Sequence, residues 1–237
     1  MNRVLIAVSC HSWPQYVHQA LDSACRQPAS MAAFVDIGPH KDEYGDILSR
    51  YLGLDVIHIE SQGAARSRNA AFSYAFKCFY DFVLPLDDDD LLLDKAVKNL
   101  LEIQQWAGAG VTYGDFWWFG AKQHGFVCPE FSSERLRASP FIVSSSLISV
   151  ETWQKVKAAN GHGYDPRMDE LGGWEDYLFY IEADLLGCKF AHCPAPVLAW
   201  RQHAGSRSSA ADRNQEAIVE YMREKTELPN LYSEEIT

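Results

Sequence analysis

Four consecutive aspartates, Asp87 to Asp90, follow directly on the apolar run Phe82-Val83-Leu84-Pro85-Leu86. Carboxylate oxygens are hard ligands that suit Mg²⁺, Mn²⁺ or Ca²⁺. Adjacent carboxylates repel one another unless a cation offsets their charge. A solvated acidic turn leading into a helix is the other reading of the same four residues. A second acidic pair, Glu175-Asp176, stands behind Gly173-Trp174. A carboxylate within reach of a hydroxyl can take its proton as general base. In the other reading, the pair is an acidic first turn that complements a helix dipole.

These groups need a scaffold, and the hydrophobic pattern outlines one. Residues 3–9 read as a buried strand, and Ser12-Trp13-Pro14-Gln15 has the form of a capping box with Ser12 as N-cap. Val17, Ala20, Leu21 and Ala24 then recur at helical spacing. Further strands are expected at 32–37, 54–59 and 80–86, alternating with helices at 41–51 and 64–78, the latter with Ala65, Phe72 and Phe76 on one stripe. The tetrad falls at the carboxyl end of the fourth strand, where open α/β sheets bind ligands. In the helix that follows, Leu93, Ala96, Val97, Leu100 and Leu101 are expected to face inward, with Asp90 as its N-cap. This alternation predicts an α/β fold with a mainly parallel, doubly wound sheet. Beyond about residue 109 aromatics and glycine become dense. Strands are expected near 111–113, 142–150, 189–193 and 196–200, with helices at 151–158, 174–186 and 210–225.

Composition sets outer limits. A chain of 237 residues with 47% hydrophobic content can bury a sizeable core in one domain. It holds no run of about 18 apolar residues that would span a membrane. The formal net charge of −11 argues against a nucleic-acid binder, which needs a basic face. A small phosphorylated ligand held by local arginines and a metal remains compatible. The six cysteines form no C-x₂-C pair. They read as reduced thiols, mostly in the core, which points to the cytoplasm.

The motifs stand in a definite order. Cys10-His11-Ser12-Trp13-Pro14-Gln15-Tyr16 closes the first strand, Asp36 the second, and Ala65-Arg66-Ser67-Arg68-Asn69 opens the third helix. Leu86-Asp87-Asp88-Asp89-Asp90, Gly173-Trp174-Glu175-Asp176 and Arg201-Gln202-His203-Ala204-Gly205-Ser206 follow. Over residues 3–208 this succession resembles the family 2 glycosyltransferases, inverting enzymes of the GT-A fold. The family pattern runs P-T-Y-N-R-P, D-x-G-S, A-R-N, L-D-x-D-D, E-D and R-x-H-x-G-S. His11, Ile37-Gly38-Pro39 and Ser67 depart from it, in the region that recognises the nucleobase.

The resemblance implies a single GT-A-like domain over 1–208, with a nucleotide-sugar half (1–108), an irregular acceptor half (109–208) and a C-terminal helix and tail (209–237). It implies a metal-dependent transfer of a sugar from a nucleoside diphosphate donor, with a UDP-sugar favoured, to the hydroxyl of a glycan or other acceptor. Mn²⁺ or Mg²⁺ would sit at Asp87 and Asp89, with His203 as a further ligand. Asp88 would reach the ribose or a metal-bound water. Asp36 and Arg68 would meet the base, and Arg201 and Arg207 the diphosphate. Asp176 would be the general base, with Glu175 beside it. Trp174, Trp117 and Trp118 would stack on acceptor sugars, and Asn69 would serve packing or capping. Two other functions are weighed: a non-catalytic sugar-nucleotide or glycan binder, which has no need of the Glu175-Asp176 pair, and a nucleotidyltransferase. The latter would want a glycine-rich, basic loop after the first strand, where Cys10 to Pro14 stand instead.

Overall fold

The computed structural model of the chain describes residues 2–60, 62–203 and 214–232. Its first half alternates strands and helices: β1 (Val4–Cys10), α1 (Pro14–Cys25), β2 (Ser30–Val35), α2 (Lys41–Leu48), β3 (Asp55–His58), α3 (Ala64–Lys77) and β4 (Phe82–Asp87). After the short β5 (Leu91–Leu92) comes α4 (Ala96–Ala107). The second half holds β6 (Val111–Gly120), β7 (His124–Phe126), α5 (Ser133–Ala138), β8 (Leu147–Ser149), α6 (Val150–Asn160), α7 (Arg167–Leu171), α8 (Glu175–Leu185), β9 (Phe190–Gln202) and α9 (Gln215–Thr226).

One mixed sheet runs through both halves in the order β3-β2-β1-β4-β8-β6-β9-β5, with β7 pairing to β6. The first four strands are parallel. Their central members are covered on both sides, which is why β1 and β4 read as continuous apolar runs. β8 then runs antiparallel to both β4 and β6, while β9 runs parallel to β6. Ligand-binding loops therefore gather where β1, β2 and β4 end. The C-terminal helix α9 joins the same core through Ile218 and Met222. No helix among the described residues is long and apolar enough to cross a membrane. All six cysteines are free; Cys10, Cys128 and Cys193 are buried and Cys25 is exposed.

Several local expectations are corrected. Ser12 does not cap α1: the N-cap is Trp13, whose side chain makes no capping hydrogen bond, and Pro14 opens the helix. Asp90 does not cap α4 either. Leu91-Leu92 first pair with Leu198 and Ala199 of β9, and the helix waits for Lys95, an N-cap held at φ 65°. The two short strands expected at 189–193 and 196–200 are one strand, interrupted where the register with β6 shifts around Asp115. Of the strand expected at 142–150, only Leu147–Ser149 forms. Phe76 leaves the α3 stripe and is 53% exposed. Residues 210–213 of the expected last helix lie outside the described residues.

Candidate active site

The loops after β1, β2 and β4, the first turn of α3 and the start of α8 line one cavity of about 340 Å³ with β6, β7 and β9. At its centre Asp87 ends β4 with its side chain 37% exposed, and the buried Arg68 of α3 reaches it through Nη2 at 3.3 Å. Nη1 of the same guanidinium donates to Glu175 Oε1. Arg68 thus ties the tetrad to the acidic pair of α8. Burial works against its charge, but Glu175 and then Asp87 more than offset that, so its pKa is raised and it stays a cation.

The remaining tetrad members do different work. Buried Asp88 pins the β1–α1 loop: its Oδ2 accepts from the backbone N–H of His11 (3.0 Å), Ser12 and Trp13 (both 3.2 Å) and from the Tyr44 hydroxyl. It holds the backbone leading into α1, ahead of the helix itself. Asp89 Oδ2 lies 2.8 Å from His203 Nε2. Burial and then the charge of Asp87 push the Asp89 carboxyl up to about 6, against the pull of His203. Asp90 is buried, and its Oδ1 accepts from the Arg201 backbone N–H at 2.8 Å. Burial, with repulsion from Asp89, raises it well above the usual carboxylate range.

On the β2 side, Asp36 is 4% exposed. Its Oδ1 accepts from Gly38 N–H at 2.8 Å, and its Oδ2 contacts His11 Nδ1. A Cβ on Gly38 would come within 2.7 Å of that Oδ1, so the turn after β2 accepts only glycine without moving the carboxylate.

Just before α8, Gly172, Gly173 and Trp174 all have positive φ. For tryptophan this conformation is uncommon, and such backbone strain gathers at functional sites. The turn is held by the Gly172 and Gly173 N–H groups on Met168 O, both at 3.0 Å. It delivers Glu175 and Asp176 to the cavity at the start of α8. Burial, then the charge of Glu175, pushes the Asp176 carboxyl up to about 6, while Arg68 pulls it down.

The expected residues do not all converge. Asp36, Arg68, Asp87, Asp88, Asp89, Trp118, Trp174, Glu175 and Asp176 line the cavity. Trp117 does not: side chains alternate across a strand, and Trp117 is 51% exposed against Gly125. Arg201 is stacked between Tyr16 and Phe119, 4.2 Å and 4.3 Å from their ring centroids, with Nη2 on Gln19 at 2.6 Å. His203 meets the site through Asp89, and Arg207 lies outside the described residues. Asn69 is a packing residue, accepting from Trp153 Nε1 (3.0 Å) and Tyr164 N–H (2.9 Å).

Sequence reasoning missed Asp169. Its carboxylate accepts from the N–H groups of Ala65 (2.9 Å) and Arg66 (3.2 Å), and so caps α3 from the distant helix α7. Gly63 at φ 123° makes room for it, since a Cβ there would lie 2.2 Å from the Asp169 carboxyl carbon. No signal near residue 64 betrays a cap that lies on another element.

Among the described residues no three His, Cys, Asp or Glu side chains form a ready metal cluster. Asp87 and Asp89, with His203 beside Asp89, offer oxygen ligands and one imidazole. That protein share fits Mg²⁺ or Mn²⁺ where phosphates and water complete the shell.

A family model described as glycosyl transferase family 2 matches residues 5–139, more than half of the chain. No curated protein sequence matches. Among solved structures, S. aureus TarS 1–349 in complex with UDP-GlcNAc superposes with a TM-score of 0.68 at 16% identity, over 87% of this chain and 60% of that one. TarS 1–349 in complex with UDP gives 0.64 at 14% identity, over 96% and 72%. A further structure of S. aureus TarS gives 0.65 at 14%, over 92% and 40%. The chain thus spans 60% of the first of these, and likeness at such identities concerns the fold.

Proposed function

The chain belongs to glycosyl transferase family 2, and from that premise we propose that it moves a sugar from a nucleoside diphosphate to an acceptor hydroxyl, with inversion and with a divalent cation at the tetrad. The observation that carries this reading is the Arg68 bridge, which joins Asp87 to Glu175 inside a cavity also lined by Asp36 and Asp176. Donor-side and acceptor-side acids are thereby held in one geometry.

Asp36 faces the base end, with His11 against it. Arg68 fixes Asp87 and Glu175 in place. Asp176 is the general base that takes the acceptor proton as the hydroxyl attacks the anomeric carbon. A carboxyl near 6 is ionised at neutral pH and still basic enough to accept that proton. One base acting on one face fits a single displacement and an inverted product. When bound at Asp87 and Asp89 beside His203, Mn²⁺ or Mg²⁺ would supply Lewis-acid stabilisation of the charge that grows on the departing diphosphate. The neighbouring fold crystallised with UDP and UDP-GlcNAc makes a uridine nucleotide the first donor to try. Incorporation of the sugar into a polysaccharide or glycoconjugate follows from this reading. Asp176 weighs against a purely binding role.

Thermal denaturation tests the proposal. UDP at about 100 times its Kd stabilises a native state by roughly 2.7 kcal/mol, or roughly 5–10 °C in a chain of this size. That shift is expected with Mn²⁺, to shrink in chelator, and to lose its metal dependence in Asp89→Ala. Equal shifts with and without metal in both proteins, or a product of retained configuration, overturn it.

A further inference from the structure

The cavity has two unlike walls. Charged lining comes from the loops after β1, β2 and β4, from α3 through Arg68 and from α8, whereas another wall is apolar: Phe116 and Trp118 of β6, Phe126 of β7, Leu198 and Trp200 of β9, and Phe141. The pairing builds this wall as one face, with Phe116 opposite Phe126 and Leu198, and Trp118 opposite Trp200. The Phe116 and Phe126 rings stack at 4.9 Å, and Phe116 meets Trp118 edge-on at 5.5 Å. Trp118, Phe126 and Trp200 stay partly open to the cavity. Apart from Ser144 and the tryptophan indoles, no described side chain on this wall offers a polar atom.

A bare sugar has a hydroxyl on nearly every carbon, and burying such groups against an apolar wall without partners is penalised. The nucleotide end of a donor is matched by the charged wall. The acids stand where the walls meet, since Asp87 ends β4 while Asp90 bonds the backbone of Arg201 on β9. We infer that the acceptor carries its reactive hydroxyl next to an aryl or alkyl group, and that this group lies on the Phe116–Trp118–Trp200 wall. The inference rests on the transferase reading above and names its acceptor class.

The test is calorimetric titration of protein saturated with UDP and Mn²⁺ with glucose, 4-nitrophenyl β-glucoside and octyl β-glucoside, the last below its micellar concentration. Both glycosides should bind at least about 10-fold tighter than glucose. Trp118→Ala should remove that margin and leave the Kd for UDP unchanged. Phe126→Ala, at the edge of the wall, should reduce it and serves if the tryptophan variant does not fold. Equal affinity for glucose and its glycosides overturns the inference while leaving the transferase reading in place. So does competition between a glycoside and UDP, which would assign the wall to the donor. Failure of UDP to bind under any condition strikes the transferase reading instead, and glycoside binding to the unliganded chain then still reports on the wall.

Discussion

On the β1–β2–β4 side, the acids at the cavity are anchored one by one. Asp88 gathers three backbone N–H groups and a tyrosine hydroxyl, Asp90 holds the backbone of β9, and Arg68 spans Asp87 and Glu175. On the β6–β7–β9 side, the cavity-lining rings lie against rings, ordered by the strand register. Hydrogen bonds fix atoms to within tenths of an ångström, whereas apolar contacts tolerate a change of shape if volume is kept. The first side is thus suited to one invariant chemistry and the second to a variable partner. Damage should be severe and specific on the first and graded on the second.

The largest effect is expected at Asp176. Asp176→Asn keeps shape and loses the proposed base, so turnover should fall about 10²–10⁴-fold with UDP binding retained. In the native enzyme, activity should drop as pH falls through about 6, where this carboxyl takes up its proton. Stability runs the other way. A carboxyl raised by burial favours the folded state below its unfolded pKa, and that contribution is lost as pH rises through about 6. Asp176→Asn should therefore melt higher than wild type at pH 8, with the gap closing toward pH 4. A variant that is both slow and less stable at pH 8 would count against this assignment.

Next in size is Arg68→Met. It removes a cation that is 3% exposed and faces two carboxylates, a change that typically costs about 3–5 kcal/mol. A fall in melting temperature of roughly 6–20 °C is expected, largest at alkaline pH and relieved as the carboxylates protonate. A loss of under a few degrees would mean that the β4 and α8 carboxylates are not coupled through this side chain. The smallest effect is expected at Trp117→Ala, on the outer face of β6. Its stability change should be near 0.5 kcal/mol, with acceptor and UDP binding unchanged. An acceptor defect there would move the binding face to the far side of the sheet.

The parallel half of the fold was legible because its signals are local. Apolar runs, helical spacing and the acids at a strand end place β1 to β4 and α1 to α4 within a few residues. What failed depends on partners distant in sequence. Asp90 looks like a helix cap because Leu91-Leu92 gives no hint that it will pair with Leu198 and Ala199. The proline-interrupted stretch 189–200 looks like two strands, because a register shift against Asp115 cannot be seen from either side alone. Within the site, residue types and order pointed to Asp36, Arg68, Asp87, Asp89 and Asp176. The partners of Arg68, the pinning role of Asp88 and the outward turn of Trp117 are set by tertiary contacts.

The cap on α3 also bears on the order in which the molecule is assembled. Asp169 closes the first turn of that helix across 104 residues of chain, and Glu175 reaches Arg68 across 107. As the polypeptide leaves the ribosome, the amino-terminal strands and helices emerge first, while α3 still has open N–H groups and a guanidinium without its α8 carboxylate. Contacts of such long separation form late and slow folding. The first turn of α3 and the Arg68 bridge are therefore completed late, so that a nascent chain short of residue 175 carries the acidic tetrad without the carboxylate that ties it to α8.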